Sequence, residues 1–178
     1  MTNVSDQIER STVVLATLSD VYNMWANFEN FPLFMPRLKS VTKTGEATSH
    51  WVMEAPLGTD LEWEAQTTAM EPNRRIAWNS LPGSTVTTSG QVAFRELGPN
   101  ETEVTVRMGY DLTGGPVVET AAQVLSNPED VVQESLRRFK EHMEHTAERL
   151  HPGDTKRSPG AANPPDGPTG PAGPIGDT

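Results

Sequence analysis

Six times between residues 37 and 111, a run of alternating apolar and polar residues ends in turn chemistry. RLKSVTKTG closes at Gly45. HWVMEAP sets Trp51, Met53 and Ala55 against His50, Val52 and Glu54. TDLEWEAQTTAM sets Leu61, Trp63, Ala65 and Thr67 against Glu62, Glu64, Gln66 and Thr68. RIAWNS puts Ile76 and Trp78 on one face. TVTTSGQVAFREL aligns Val86, Thr88, Val92 and Phe94, with Gly90 read as a bulge. TEVTVRMGYDL aligns Val104, Val106, Met108 and Tyr110 against Arg107 and Asp111. Strict two-residue alternation makes half-buried strands, and the short intervening turns make them antiparallel. A single helical stripe then follows: Val132, Leu136, Phe139, Met143, Ala147 and Leu150, opened by Asn127, Pro128, Glu129 and Asp130. The chain must therefore fold as α+β, with one amphipathic helix covering one curved sheet face. Such a face exceeds what a single helix fills, so a cavity is expected between them.

Upstream, residues 8–16 are rich in β-branched types and read as a first strand, which brings the expected sheet to seven strands. A helix is predicted from an N-cap at Ser19, with Val21, Met24, Trp25 and Phe28 on its apolar face. FENFPLFMP, residues 28–36, comes next. Its two prolines forbid a regular strand or a long helix, so a second short helix or a break is expected. An irregular segment this apolar either plugs a core or lines a cavity mouth. The reading places Phe28 and Phe31 in packing and Phe34 and Met35 nearer an entrance. A further short helix or lid is expected over residues 117–125, approached through Gly114 and Gly115.

Composition removes several classes of function. The formal net charge is −10, and no cluster of basic residues exists, which argues against nucleic acid or an anionic membrane as partner. Without cysteine there is no disulfide, thiolate metal site or cysteine nucleophile. No apolar run reaches the ~18 residues of a membrane span, and residues 1–12 do not read as a signal peptide, so a cytoplasmic protein is expected. Residues 1–7 read as a flexible N-terminus and residues 8–150 as the folded domain. Beyond His151 the Pro/Gly-rich composition predicts a disordered tail, 151–178, whose last glycine triplets are too few for a collagen helix.

The segments 18–41 (LSDVYNMWANFENFPLFMPRLKSV), 63–80 (WEAQTTAMEPNRRIAWNS), 90–94 (GQVAF) and 136–144 (LRRFKEHME) together resemble one family. This is the helix-grip superfamily, often called SRPBCC, of START lipid-transfer domains, birch-pollen-allergen-like proteins and polyketide cyclase/dehydrase proteins. FENFPLFMP looks like the E-x-[YF]-P-x-F-x-P stretch of the coenzyme Q-binding and cyclase-like branch. The resemblance covers residues 8–150. It implies a seven-stranded curved antiparallel sheet wrapped around a long C-terminal helix, with two short helices after the first strand. Its relatives hold lipids, quinones or polyketides, and some are catalytic.

The expected ligand cavity is therefore assigned to Phe34, Met35, Trp51, Met53, Trp63, Trp78, Phe94, Met108, Tyr110, Phe139 and Met143. Trp51, Trp63 and Trp78 form either a flat wall for a ring-bearing or isoprenoid ligand or ordinary core with tied indole N–H groups. Methionines suit a cavity of adaptable shape. For catalysis, the family's cyclases are implied to orient a poly-β-ketone and move protons with buried polar groups. Tyr110 is the one ionisable group in phase with the apolar face, so the catalytic candidate is Tyr110 alone. His142 and His145 among Glu141, Glu144 and Glu148 read as a solvated helix face, and neither a metal nor a cofactor is expected. The leading function is binding or carriage of a small hydrophobic ligand. A polyketide cyclase or dehydratase is the alternative. A third is a protein-interaction module using apolar residues around Phe31, Phe34 and Met35.

Overall fold

The computed structural model describes residues 7–54, 58, 60–84, 86–111 and 127–150. The expected tail 151–178, N-terminal residues 1–6, the 117–125 helix with its glycine pair, Ala55 and the side chain of Tyr110 lie outside the described residues.

The chain runs β1 (Ile8–Val14), α1 (Leu18–Ala26), a 3-10 helix (Phe28–Leu33), β2 (Leu38–Lys43), β3 (Thr48–Met53), β4 (Leu61–Glu71), β5 (Arg75–Ser80), β6 (Thr87–Gly98), β7 (Glu101–Asp111) and α2 (Pro128–Leu150). The strands form one antiparallel sheet of seven, in the order β1-β7-β6-β5-β4-β3-β2. Sequence neighbours pair throughout except at the start. There α1 and the 3-10 helix carry the chain from one sheet edge to the other, α1 touching β6 and β7 and the 3-10 helix lying against β2. Together with α2 this is the helix-grip arrangement.

Local chemistry explains the turns. Asn73 takes a left-handed φ of 59° between β4 and β5, a conformation asparagine tolerates well. Pro82 and Gly83 fill the centre of the next turn, where Gly83 has φ 83° and the Ser84 amide donates to the Leu81 carbonyl at 3.1 Å. Register shifts at Leu38/Ser40, Thr67/Ala69 and Glu96/Gly98 are bulges, which bend strands and help the sheet curl. Gly90 is not among them. It pairs without interruption with Trp78 on one side and Met108 on the other.

Helix α1 is capped by Thr17, whose hydroxyl accepts from the Asp20 amide at 3.2 Å, two residues before the expected cap at Ser19. Ser19 lies inside the helix instead. The proline-bounded segment is the 3-10 helix with Pro32 inside it, and Phe28, Phe31 and Phe34 are all buried. Helix α2 buries Val132, Leu136, Phe139 and Met143 along one stripe. It also closes the edge strand β1. Lys140 Nζ donates to the Val13 carbonyl at 2.7 Å, and Glu144 Oε1 accepts from the Leu15 amide at 3.1 Å. Those backbone groups belong to the unpaired edge, so the helix satisfies them where a neighbouring strand would.

Candidate functional site

The wall of the site is built from cross-strand registers. Trp51 of β3 and Trp63 of β4 are direct partners, and their rings stack with centroids 5.8 Å apart and planes 23° apart. Trp78 of β5 lies 6.4 Å from Trp51 at 20°, so three indoles run nearly parallel along the concave face. Small Ala65, inward on β4 beyond Trp63, stands between the strands that bear Trp51 and Trp78. Gly90 completes the arrangement. A Cβ built there would lie 2.3 Å from Cζ2 of Trp78, so the indole lies directly over the one position of that strand stretch without a side chain, Gly90. Phe28 and Phe31 brace this wall, each within 6.3 Å of both Trp51 and Trp78.

Between the wall and the first turns of α2 lies a cavity of about 80 Å³. Val132, Ser135 and Leu136 line it from the helix, Trp25 from α1, Leu61 and Val106 from the sheet, and Val86 from just before β6. The half-buried Met35, Pro36, Met53 and Met108 form its more exposed rim. The space is several times the ~10–15 Å³ needed for one water and about half the ~150 Å³ that takes a benzene ring. It therefore has the volume of a few carbon atoms.

No Asp, Glu, His, Lys or Arg borders the cavity among the described residues. Thr88, Ser135 and the tryptophans are the lining residues whose side chains carry a polar group. Ser135 Oγ donates to the Val131 carbonyl at 2.7 Å, and Trp51 Nε1 donates to Ser49 Oγ at 2.9 Å. Desolvation raises the pKa of the buried Tyr22 phenol above the ordinary tyrosine value. The ring packs edge-on against Phe94 at 5.6 Å, away from the cavity. A second hollow of about 250 Å³ is larger but mixed, with Lys43, Glu46, Thr48 and Thr67 on its walls. Size alone would favour it; apolar character favours the first.

Six of the eleven residues assigned from sequence meet at the cavity: Met35, Trp51, Met53, Trp63, Trp78 and Met108. Phe34 and Phe139 are elsewhere, packed on each other at 5.1 Å and each on Trp25 at 5.2 Å. That aromatic cluster is solid core, because rings at such distances leave no room for a guest. Phe94 packs on Tyr22, and Met143 lies on α2 one turn past Phe139; neither borders the cavity. The backbone of Tyr110 pairs with Thr88, which borders the cavity. Trp25, Thr88 and Ser135 are wall residues that the reading did not assign. Thr88 carried the signal, since it alternates in phase with Val86 and Val92; Ser135 carried none, being a hydroxyl beside an apolar stripe.

The surface expected for a docking module is not formed. Phe31 and Phe34 are fully buried and Met35 half-buried, which leaves Leu33, 58% exposed, as the exposed large apolar residue of the segment. His142 is half-buried and His145 exposed on α2, and no three ligand side chains converge on a metal position among the described residues. His50 on the outer face sits 2.6 Å from Glu64 and 3.5 Å from Glu62. No helix is long and apolar enough to cross a membrane among the described residues.

Comparison with known proteins agrees with this geometry. An uncharacterised 17.2 kDa protein of Streptomyces lincolnensis is 29% identical over 138 residues, 78% of this chain and 89% of that protein. The crystal structure of DR_A0006 from Deinococcus radiodurans superposes with a TM-score of 0.63 at 33% identity, covering 79% of this chain and 99% of that one. A START superfamily protein from Mycobacterium smegmatis shares the fold at 16% identity, with a TM-score of 0.59 over 82% of this chain and 99% of that one. Residues 14–140 match the family described as polyketide cyclase / dehydrase and lipid transport, and the chain belongs to that family.

Proposed function

We propose that this protein binds or carries a small hydrophobic molecule, of lipid, isoprenoid, quinone or polyketide-like character, in the cavity between the sheet and α2. The observation that carries this reading is the stacked tryptophan wall facing an apolar void whose lining side chains carry hydroxyls and indoles as their polar groups. Such a wall gains binding energy from burying ligand carbon and from ring stacking. General acid–base chemistry instead needs a titratable group within hydrogen-bond reach of the reacting atom. The cyclase or dehydratase reading is the second, supported by the family's description and by the register of Tyr110 opposite Thr88.

Native mass spectrometry of the protein purified from its own cells, followed by extraction of any retained molecule, tests the reading. Recovery of a stoichiometric apolar ligand is expected. Recovery of none, together with no thermal shift across quinones, fatty acids and polyketides, would contradict it. Turnover of a poly-β-ketone by the wild type, abolished in Tyr110→Phe, would favour the cyclase instead.

A further inference from the structure

We propose that the mixed hollow is a second binding site, for a small zwitterion of the free amino acid class. It shares no lining residue with the apolar cavity. The space comes from unequal strands. β2 and β3 have six residues each and β4 has eleven, and β3 stops pairing with β4 at Gln66. Beyond the Thr67 amide, which donates to the Ala47 carbonyl at 2.7 Å, β4 pairs with β5 alone. The bulge between Thr67 and Ala69 bends the strand there. Where β3 would continue lies the hollow of about 250 Å³, bordered also by Ala26 and Phe28 at the junction of α1 and the 3-10 helix. It exceeds the ~150 Å³ that takes a benzene ring, so a small amino acid has room.

The lining selects the ligand by charge. Lys43 supplies an ammonium and Glu46 a carboxylate, and neither forms an ion pair or a side-chain hydrogen bond among the described residues. They do not neutralise each other, as Arg75 and Glu71 do at 2.8 Å between the ends of β5 and β4. A lone anion drawn to Lys43 meets Glu46, and a lone cation drawn to Glu46 meets Lys43. A molecule that carries both charges satisfies both residues. The hydroxyls of Thr48, Ser49, Thr67 and Thr68 donate or accept as the guest requires. Phe28, Ala69 and Met70 offer carbon surface to a short aliphatic side chain. Ser49 has a further connection. It is 2% exposed, and its Oγ accepts the Trp51 indole N–H at 2.9 Å. One residue thus borders the hollow and touches the tryptophan wall, so occupancy of the hollow is read at Trp51.

The test uses the full chain and three matched probes. L-Valine carries both charges, isovalerate lacks the ammonium and isobutylamine lacks the carboxylate. Saturable ¹H–¹⁵N shifts at residues 43–49 and 67–70 are expected with L-valine. It is expected to bind about fivefold more tightly than either partial analogue, the worth of one partly exposed ion pair. The Trp51 indole signal, assigned by its loss in Trp51→Phe, is expected to move with them. Lys43→Gln and Glu46→Gln, both at exposed positions, are each expected to weaken L-valine about fivefold, and Glu46→Gln to remove the disadvantage of isovalerate. Equal binding of the three probes, variants that bind L-valine as the wild type does, or shifts that do not saturate would overturn the inference. L-Valine shifts at Met35, Met53 and Met108 in place of the hollow would overturn it too, because they assign the guest to the apolar cavity. None of these outcomes touches the carrier reading, which stands or falls on retention of an apolar molecule.

Discussion

Gly90 is where one missing atom shapes the site. Its backbone is regular, so its value lies in the space above it, which the Trp78 indole occupies. Gly90→Ala must displace that ring. The expected loss is about 1–3 kcal/mol in urea denaturation, as for other overpacked cores, with an altered tryptophan emission spectrum. An unchanged stability would show that Trp78 has another low-energy position. Ser49 acts through a hydrogen bond instead. Ser49→Ala leaves the Trp51 N–H buried without its acceptor and is expected to cost about 1–3 kcal/mol, whereas Ser49→Thr, which keeps the hydroxyl, costs less. At this scale the sequence was legible for the tryptophans, because period-two alternation fixes which way a strand side chain points. It misread Gly90 as a bulge, because a glycine inside a strand signals either a bulge or a close approach, and only the partner across the ladder tells which.

The elements hold together by different means on their two faces. Helix α2 presents an apolar stripe inward and a set of charge pairs outward. Arg137 and Arg138 donate to Glu134 Oε1 at 2.7 and 2.8 Å, and these hydrogen bonds, with the charges behind them, lower its carboxyl from 4.5 to about 2. The folded value lies below the unfolded one. The contribution is thus fully present above about pH 4.5 and fades as pH falls toward 2. Glu134→Gln is expected to lower the thermal midpoint slightly at pH 7 and low salt, with the difference shrinking between pH 4.5 and pH 3 and in 1 M salt. A difference independent of pH would mean the glutamate acts through packing. The long helix was readable to its first residue, since Asn127 and Pro128 are strong start signals. Helix α1 was displaced by two residues, because Thr17 and Ser19 are both competent caps and tertiary packing chooses between them.

For the molecule as a whole, element order and the β2-to-β7 meander followed from the sequence, because short turns between alternating strands favour antiparallel neighbours, whereas the pairing of β1 with β7 carried no such local signal. The division between wall and filled core did not. Phe34 and Phe139 carry the same apolar signal as Trp63 and Met108, and burial alone does not say whether a void lies beside them. The relative placement of α1, the 3-10 helix and α2 decides that: they press Trp25, Phe31, Phe34 and Phe139 into one cluster and leave the space above the tryptophans open. Trp63→Ala therefore separates the two roles. Loss of ligand affinity with the fold retained is expected for a wall residue, while a loss of stability alone, of about 3–5 kcal/mol, marks a core one.

Xenon binding followed by NMR of methyl-labelled methionines tests the cavity most directly. Met35, Met53 and Met108 border it, whereas Met143 is buried away from it and Met70 is exposed. Saturable shifts at the first three, with Met143 unmoved, are the predicted result. Shifts absent from those three, or confined to Met70, would contradict a guest-accessible apolar cavity between the sheet and α2.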